Sequence, residues 1–580
     1  MIKLFLRLRP IDWVFAIILL GFVVLQVYFD VTLPDYVNKM LEPTKIPSNS
    51  DSWENGWKML LLILGSMTST IIASYFAAII ATQYGKRLRA DVFAKVQTFG
   101  FAEINKFSTA SLITRSSNDI AQVQMAFITL LRTGVAAPLS AIWAIVKISE
   151  VDTQLMLYGG LWILLLIVGL ACIIGMFIPK FIKTQKMTDK LNSVARENLT
   201  GLRVVKAYNA ANYQEDKLNT VAKDVQSLDL FMNRLSAFIW PFMVVIMNGM
   251  QLTIYWLGGK LVGDSILGYG SFNAGAIIKT VMLAMQVLFA FMGVVFLFVM
   301  IPRAIVSSKR INEVLDTTPS VSDPSHPKSF IKSGDIEFKN VSFKYPGAEE
   351  CVIKDISFKA SAGQTVAIIG STGSGKSTIV NLLPRFYDAT SGEVLVGGVN
   401  VKDIKQGDLL SSIGYVPQKS LLFSGTVHQN ISYGLDRQDD QAVQQASIVA
   451  SAHEFVTKMD NGYQTHIAQG GKNVSGGQKQ RLSIARAVAI TPEIFIFDDS
   501  FSALDFKTDR AVRDALKQSA SNATSLVVAQ RVGSIMEADL ILVLDQGEVV
   551  GKGTHSELIK SCDVYREIAF SQLTAEELGV

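Results

Sequence analysis

Gly370-Ser371-Thr372-Gly373-Ser374-Gly375-Lys376-Ser377-Thr378 follows a short β-rich apolar run, 364–369, and leads into a helical stretch, 376–383. Strand, glycine loop and helix in that order make a phosphate-binding loop. Glycines let successive backbone N–H groups and the helix N-terminus point at phosphate oxygens. Lys376 is placed to neutralise β- and γ-phosphates, and the Ser377 hydroxyl to ligate Mg²⁺. From Asp335 onward the sequence alternates strands, tight turns and helices, as an α/β domain built around this loop requires.

Downstream, Ile494-Phe495-Ile496-Phe497 is an apolar run that ends in Asp498. It reads as a buried parallel strand delivering a carboxylate to its C-terminal edge. Asp498 would hold Mg²⁺ through water. Ser475-Gly476-Gly477-Gln478 opens a helical stretch that runs to about Ile490. Its small residues allow backbone N–H groups close to a phosphate, and the helix dipole adds attraction.

Upstream, the character changes. The chain has 580 residues, 49% apolar, with a mean hydropathy of +0.32. The apolar excess lies before residue 302. Six stretches, near 13–29, 59–82, 126–147, 155–179, 237–260 and 276–301, are long enough to cross a bilayer. The first is read as a retained span, and the segment 2–10, with Leu and Phe among Lys and Arg, as lying on the inner membrane surface. Lys86, Arg87, Arg89 and Lys95 lie in one long connection, and Lys180, Lys183, Lys186 and Lys190 in another. The excess of positive charge places both connections and both termini in the cytoplasm. Their periodic sequence predicts helices that continue well beyond the bilayer.

The fifth and sixth spans are rich in Met and Phe, among them Met243, Met247, Met250, Met285, Phe289 and Met292. They read either as a soft wall for apolar ligands or as lipid- and helix-packing faces. Arg132, near the start of the third span, either faces water at the cytoplasmic end or touches substrate. Pro138 and Pro241 are candidate kinks. The net charge of +4 gives no reason to expect nucleic-acid binding. Three scattered cysteines and five dispersed histidines argue against a zinc site or a disulfide framework.

Taken in order, these motifs resemble one half of an ATP-binding-cassette (ABC) exporter. The resemblance implies an all-α six-helix transmembrane domain, 1–320, a linker, 321–334, an α/β P-loop nucleotide-binding domain, 335–570, and a C-terminal tail, 571–580. Ser475 to Gln478 then match the family signature. Tyr345, in Phe343-Lys344-Tyr345-Pro346, matches the aromatic that stacks on adenine. Gln418 matches the glutamine that senses Mg²⁺ and couples to the membrane domain. Ser502-Ala503-Leu504-Asp505 matches the loop that crosses between two cassettes. Gly201-Leu202-Arg203-Val204-Val205-Lys206-Ala207-Tyr208 resembles a second cytoplasmic loop, with short coupling helices implied near 102–109 and 209–216.

In the family, two cassettes meet head to tail and share two ATP sites, so the resemblance implies a dimer. Two positions depart from the family pattern. Asp499 stands where a catalytic glutamate is expected, and Gln530 where a histidine is expected. Asp is one methylene shorter, and a misplacement of about 1 Å costs on the order of 100-fold in rate. The Gln530 amide donates a hydrogen bond but carries no proton to transfer. No histidine occurs from Ser500 to Thr554 to replace it. Both changes together resemble the degenerate half of bacterial heterodimeric multidrug exporters. The expected function is Mg²⁺-dependent ATP binding at a slow site, with the intact signature completing a partner half's site, and export of amphipathic or hydrophobic compounds across a bacterial plasma membrane. A peptide or lipid exporter half and an ATP-gated regulatory subunit are the alternatives.

Overall fold

The computed structural model describes residues 8–41, 49–266, 272–435, 437 and 439–579. The chain divides into two compact units. The first contains residues 1–94 and 113–316, the second 95–112 and 317–580.

The first unit is helical. In chain order the elements up to Asp316 are α1 (Pro10–Met40), α2 (Asn49–Gln97), α3 (Phe101–Phe107), which belongs to the second unit, α4 (Thr109–Thr114), which spans the division at 112/113, a π-helical turn at Arg115–Asp119, α5 (Ile120–Ser149), α6 (Thr153–Thr200), α7 (Leu202–Ala207), α8 (Ala211–Ile266) and α9 (Ala274–Asp316). Among the described residues, six helices are long and apolar enough to cross a membrane. They run past the six apolar stretches, since 83–97, 180–200 and 211–236 are helical as their periodicity predicts. The helices pass through Pro138 and Pro241. The predicted surface segment 2–10 falls mostly on residues 1–7, outside the described residues.

The methionine-rich faces divide between the two readings. Met243 and Met250 are buried in a cluster with Ile246, Ile254, Leu283 and Val287, and Met285, Phe291 and Met292 pack against it. Trp240, Phe289 and Phe296 are exposed. At one end of the unit Asp35 binds both Lys279, at 2.6 Å, and Lys147, at 3.3 Å, joining α1, α9 and α5. Near the start of α1, the fully buried Asp12 pairs with Arg87 of α2. Arg132 is half-buried within α5 and forms no ion pair among the described residues.

One expected coupling helix lies where it is predicted, as α3. The other does not. The short helix is α7, 202–207, and residues 211–216 are the first turns of α8. The chain breaks between them at Asn209, whose φ of 50° is left-handed. Asn tolerates that conformation better than most residues do.

In the second unit, residues 317–335 are irregular and pack on the α/β domain through Gln406 N–H donating to Asp323 and Lys328 pairing with Asp403. Twelve strands follow among the described residues: β1 (Ile336–Phe343), β2 (Ile353–Ala360), β3 (Thr365–Gly370), β4 (Ser391–Val396), β5 (Val399–Asn400), β6 (Ile413–Val416), β7 (Gly425–Thr426), β8 (His466–Ile467), β9 (Ile494–Asp498), β10 (Thr524–Val528), β11 (Leu540–Asp545) and β12 (Glu548–Gly553). The main sheet runs β12-β11-β3-β10-β9-β6, with β12 antiparallel to β11 and the other pairings parallel. A four-stranded antiparallel sheet has the order β2-β1-β4-β5. Apolar side chains from both faces of the main sheet enter separate core clusters, Phe495 and Phe497 in one, Ile494 and Ile496 in the other. Continuous apolar runs are what a strand buried on both faces requires.

α3 packs within this unit. The Phe101 ring lies 4.8 Å from Phe386, and Asn105 Nδ2 donates to the Tyr387 hydroxyl at 3.4 Å. Glu103 accepts from the backbone N–H of Gly100 and of Ser320.

Candidate nucleotide site

Three neighbouring parallel strands position the site. β3 ends in the glycine loop, β9 ends in Asp498, and β10 lies between them, with Val528 opposite both Ile368 and Asp498. Their C-terminal ends open on one edge, where ligands of open α/β sheets bind. The loop feeds α10 (Lys376–Leu382), which Gly375 caps with a φ of 97°. A Cβ at Gly375 would sit 2.6 Å from the Ile353 side chain, and one at Gly370 2.1 Å from the Leu544 carbonyl. The loop's path therefore demands glycine at both positions.

A cavity of about 320 Å³ lies over the loop, lined by Val352, Thr372, Gly373, Gly375, Lys376, Ser377, Thr378, Gln418, Asp498, Asp499, Val528 and Gln530. Lys376 Nζ donates to the carbonyls of Gly370, at 2.8 Å, and Ser371, at 2.6 Å. Burial lowers its pKa, and the neighbouring Asp499 and Asp498 oppose that shift. Ser377 Oγ donates to Asp498 Oδ1 at 2.8 Å. Burial raises the Asp498 pKa, and the Ser377 hydrogen bond works against it. A hydroxyl and a buried carboxylate in contact form an oxygen donor set suited to Mg²⁺, and a cation there would relieve the buried charge.

Asp499 is buried and takes a left-handed φ of 50°. Its backbone N–H donates to Val528 O at 3.0 Å. Two side-chain amides converge on its carboxylate oxygen Oδ2: Gln530 Nε2 at 2.7 Å and Gln418 Nε2 at 3.2 Å. Asp499, Gln530, Gln418, Asp498, Lys376 and Ser377, predicted separately from the sequence, thus meet in one place.

Other predicted residues stand outside the cavity lining. Gly370, Ser371 and Ser374 shape the loop, and Ser374 Oγ is 3.5 Å from Lys376 Nζ. The Tyr345 hydroxyl lies 3.1 Å from that of Thr378, while its ring packs edge-on against Phe343 and Tyr387. Ser475 caps α11 (Gly476–Ala489) by a reciprocal exchange with Gln478, and Gly476 and Gly477 form the first turn. Asp505 caps α12 (Phe506–Ser519), accepting from Thr508 N at 3.0 Å. Ser475, Gly476, Gly477, Gln478 and Asp505 do not line this chain's own cavity. Val352 and Val528 do, and no sequence motif marks them.

Residues 353–502 match the family model described as ABC transporter, and residues 13–283 match that of the ABC transporter transmembrane region. An uncharacterised ABC transporter ATP-binding protein of Mycobacterium tuberculosis is 37% identical over 517 residues, 87% of each chain. A probable multidrug resistance ABC transporter ATP-binding/permease protein of Bacillus subtilis is 36% identical over 405 residues, 69% of this chain and 68% of that one. The fold matches a bacterial Atm1-family ABC exporter solved with ATP bound, with a TM-score of 0.78 at 23% identity, covering 96% of this chain and 97% of the other. With those matches beside its six apolar helices and its phosphate loop, the chain belongs to the ABC transporter family, as an ATP-driven exporter half that joins one transmembrane region to one nucleotide-binding domain.

Proposed function

We propose that this chain is the slow-hydrolysing half of a heterodimeric multidrug-type exporter. The observation that carries the reading is the Gln530–Asp499 hydrogen bond of 2.7 Å. A general base must reach the attacking water within about 3 Å. Here the carboxylate is a methylene short, and its Oδ2 accepts from two amides instead of facing a titratable imidazole. Lys376 and the loop N–H groups would bind the phosphates, and Ser377, Asp498 and Gln418 would hold Mg²⁺, which would supply charge neutralisation there. Tyr345 takes the adenine after turning from its contacts with Phe343 and Tyr387.

The α11 N-terminus, capped by Ser475 and lying outside the chain's own cavity, serves the partner's ATP, and Asp505 lies at the shared seam. The packing of α3 on Phe386 and Tyr387 favours a coupled transporter half over a subunit that only regulates. The cargo is amphipathic or hydrophobic, in keeping with the multidrug designation of the Bacillus relative. The chain sits in a bacterial plasma membrane with both termini in the cytoplasm. ATP closes the paired cassettes and shifts the membrane helices from inward- to outward-facing, and turnover at the partner's site resets them.

The test pairs this chain with its partner half and compares two variants. Asp499→Asn leaves most of the ATPase activity, whereas neutralising the partner's catalytic glutamate nearly abolishes it. Equal losses would overturn the asymmetric reading.

A further inference from the structure

The last described residues are not a loose extension of the second unit. α13 (Asp563–Phe570) ends in a turn that presents Gln572 to the loop after β10. The Gln572 side chain binds that loop at two points. Its Nε2 donates to the carbonyl of Gln530 at 2.9 Å, and its Oε1 accepts from the backbone N–H of Val532 at 2.8 Å. One side-chain amide thus pairs with both peptide groups that flank Arg531, as a neighbouring strand would.

The segment behind Gln572 is anchored. His555 Nε2 donates to the Leu578 carbonyl at 3.1 Å, and His555 Nδ1 lies 2.8 Å from the Tyr565 hydroxyl. A carbonyl only accepts, so Nε2 carries a hydrogen. Leu578 is 2% exposed. Further along the loop, Ser534 Oγ donates to Asp509 of α12 at 3.0 Å, and Arg513 of α12 donates to the Ser534 carbonyl at 3.1 Å. The loop is held at both places, and Gln572 is the support adjoining Gln530.

We propose that Gln572 is a positioning residue for the nucleotide site, pinning the main chain at Gln530 and Val532 so that the Gln530 amide meets Asp499 and the bound nucleotide. The proposal rests on the reading that this cavity binds ATP. Gln572 is itself exposed and fills no core space, so its bonds matter to the loop more than to the fold.

The experiment uses the full-length chain assembled with its partner half in lipid nanodiscs, with Mg²⁺ and N-methylanthraniloyl-ATP as the probe. The release phase that Lys376→Ala removes belongs to this chain's site. Gln572→Glu keeps the size and the acceptor for Val532 N–H but sets an oxygen against the Gln530 carbonyl. We expect it to speed that phase about fivefold, the scale of one lost hydrogen bond, and to raise the KM for ATP while leaving kcat and the thermal midpoint near wild type. Gln572→Ala, which removes both bonds, does the same at least as strongly. A Lys376-dependent phase that neither variant changes, or one that shifts only in step with a falling thermal midpoint, overturns the positioning role. Release wholly insensitive to Lys376→Ala would overturn the ATP-site reading and this role with it.

Discussion

Gln530 and Asp499 hold each other side chain to side chain, Nε2 to Oδ2 at 2.7 Å, across the C-terminal ends of two adjacent strands. The pair links the two positions on which the proposed slow site rests. A carboxylate shortened by one methylene sits where an amide reaches it, and an amide presents a donor without a titrating proton. Restoring one member alone leaves a mismatched pair. In the heterodimer proposed above, with the partner's catalytic glutamate neutralised, we expect Asp499→Glu and Gln530→His together to raise this site's ATP turnover on the order of 100-fold. Each alone should recover much less. A single substitution that recovers the full rate would show that the two residues act independently.

The phosphate loop is intolerant of side chains where its backbone is left-handed. At Gly375, φ is 97° and a Cβ would lie 2.6 Å from Ile353 Cγ2. Gly375→Ala should cost about 1–3 kcal/mol in backbone strain and displace Lys376 along with the start of α10. Gly373 has a positive φ too, but open space above it, so Gly373→Ala should be milder. Equilibrium binding of a fluorescent ATP analogue ranks the two, and equal affinity in both variants would contradict the geometry.

Much of this site was legible in the sequence because its chemistry forces local patterns. Apolar runs at 364–369 and 494–497 had to be buried strands, and their C-terminal ends had to carry the loop and Asp498. The long helices were legible for the same reason, since a membrane leaves few alternatives to an uninterrupted apolar helix. What escaped depends on contacts between distant segments. The packing of 101–107 on the α/β domain was legible only through the family resemblance, which implied a coupling helix near 102–109; no local pattern marks it, because Phe101 needs Phe386 and Tyr387, more than 280 positions away, to define its place. The second short helix was misplaced because Asn209 breaks the chain only through its backbone conformation. Gln572 carries no periodic signal, and only the fold brings it to Gln530.

The ion cluster in the membrane unit has one acid serving two bases. Asp35 faces Lys279, itself 8% exposed, and Lys147. Lys279→Met leaves Asp35 with Lys147, whereas Asp35→Asn leaves Lys279 buried beside a neutral amide and Lys147 with only Glu150, at 3.2 Å. Removing one partner of a buried pair costs about 3–5 kcal/mol, because the other charge stays behind. Asp35→Asn should therefore lower the thermal midpoint of the detergent-solubilised protein more than Lys279→Met does. The reverse order would mean that Lys147 does not share Asp35.

Docking of the C-terminal segment should depend on acid pH. Glu577 accepts from the Thr574 backbone N–H at 2.9 Å and from its hydroxyl at 3.0 Å, and these bonds lower its pKa from the ordinary 4.5, the backbone bond contributing most. A carboxylate whose folded pKa is depressed stabilises the folded form above its unfolded pKa. That contribution is lost as pH falls through the folded value. Local protection in 571–579 should therefore be constant from pH 7 down to about 5 and decline below 4.5, ahead of the α/β core. Hydrogen exchange read by mass spectrometry, corrected for the intrinsic pH dependence of exchange, follows the segment directly. Glu577→Gln should flatten that acid dependence and lower protection already at pH 7, since a neutral amide accepts more weakly than a carboxylate. Because the same segment carries Gln572, release of N-methylanthraniloyl-ATP should quicken over the same interval. Protection that falls between pH 7 and 5 instead would assign the transition to another group.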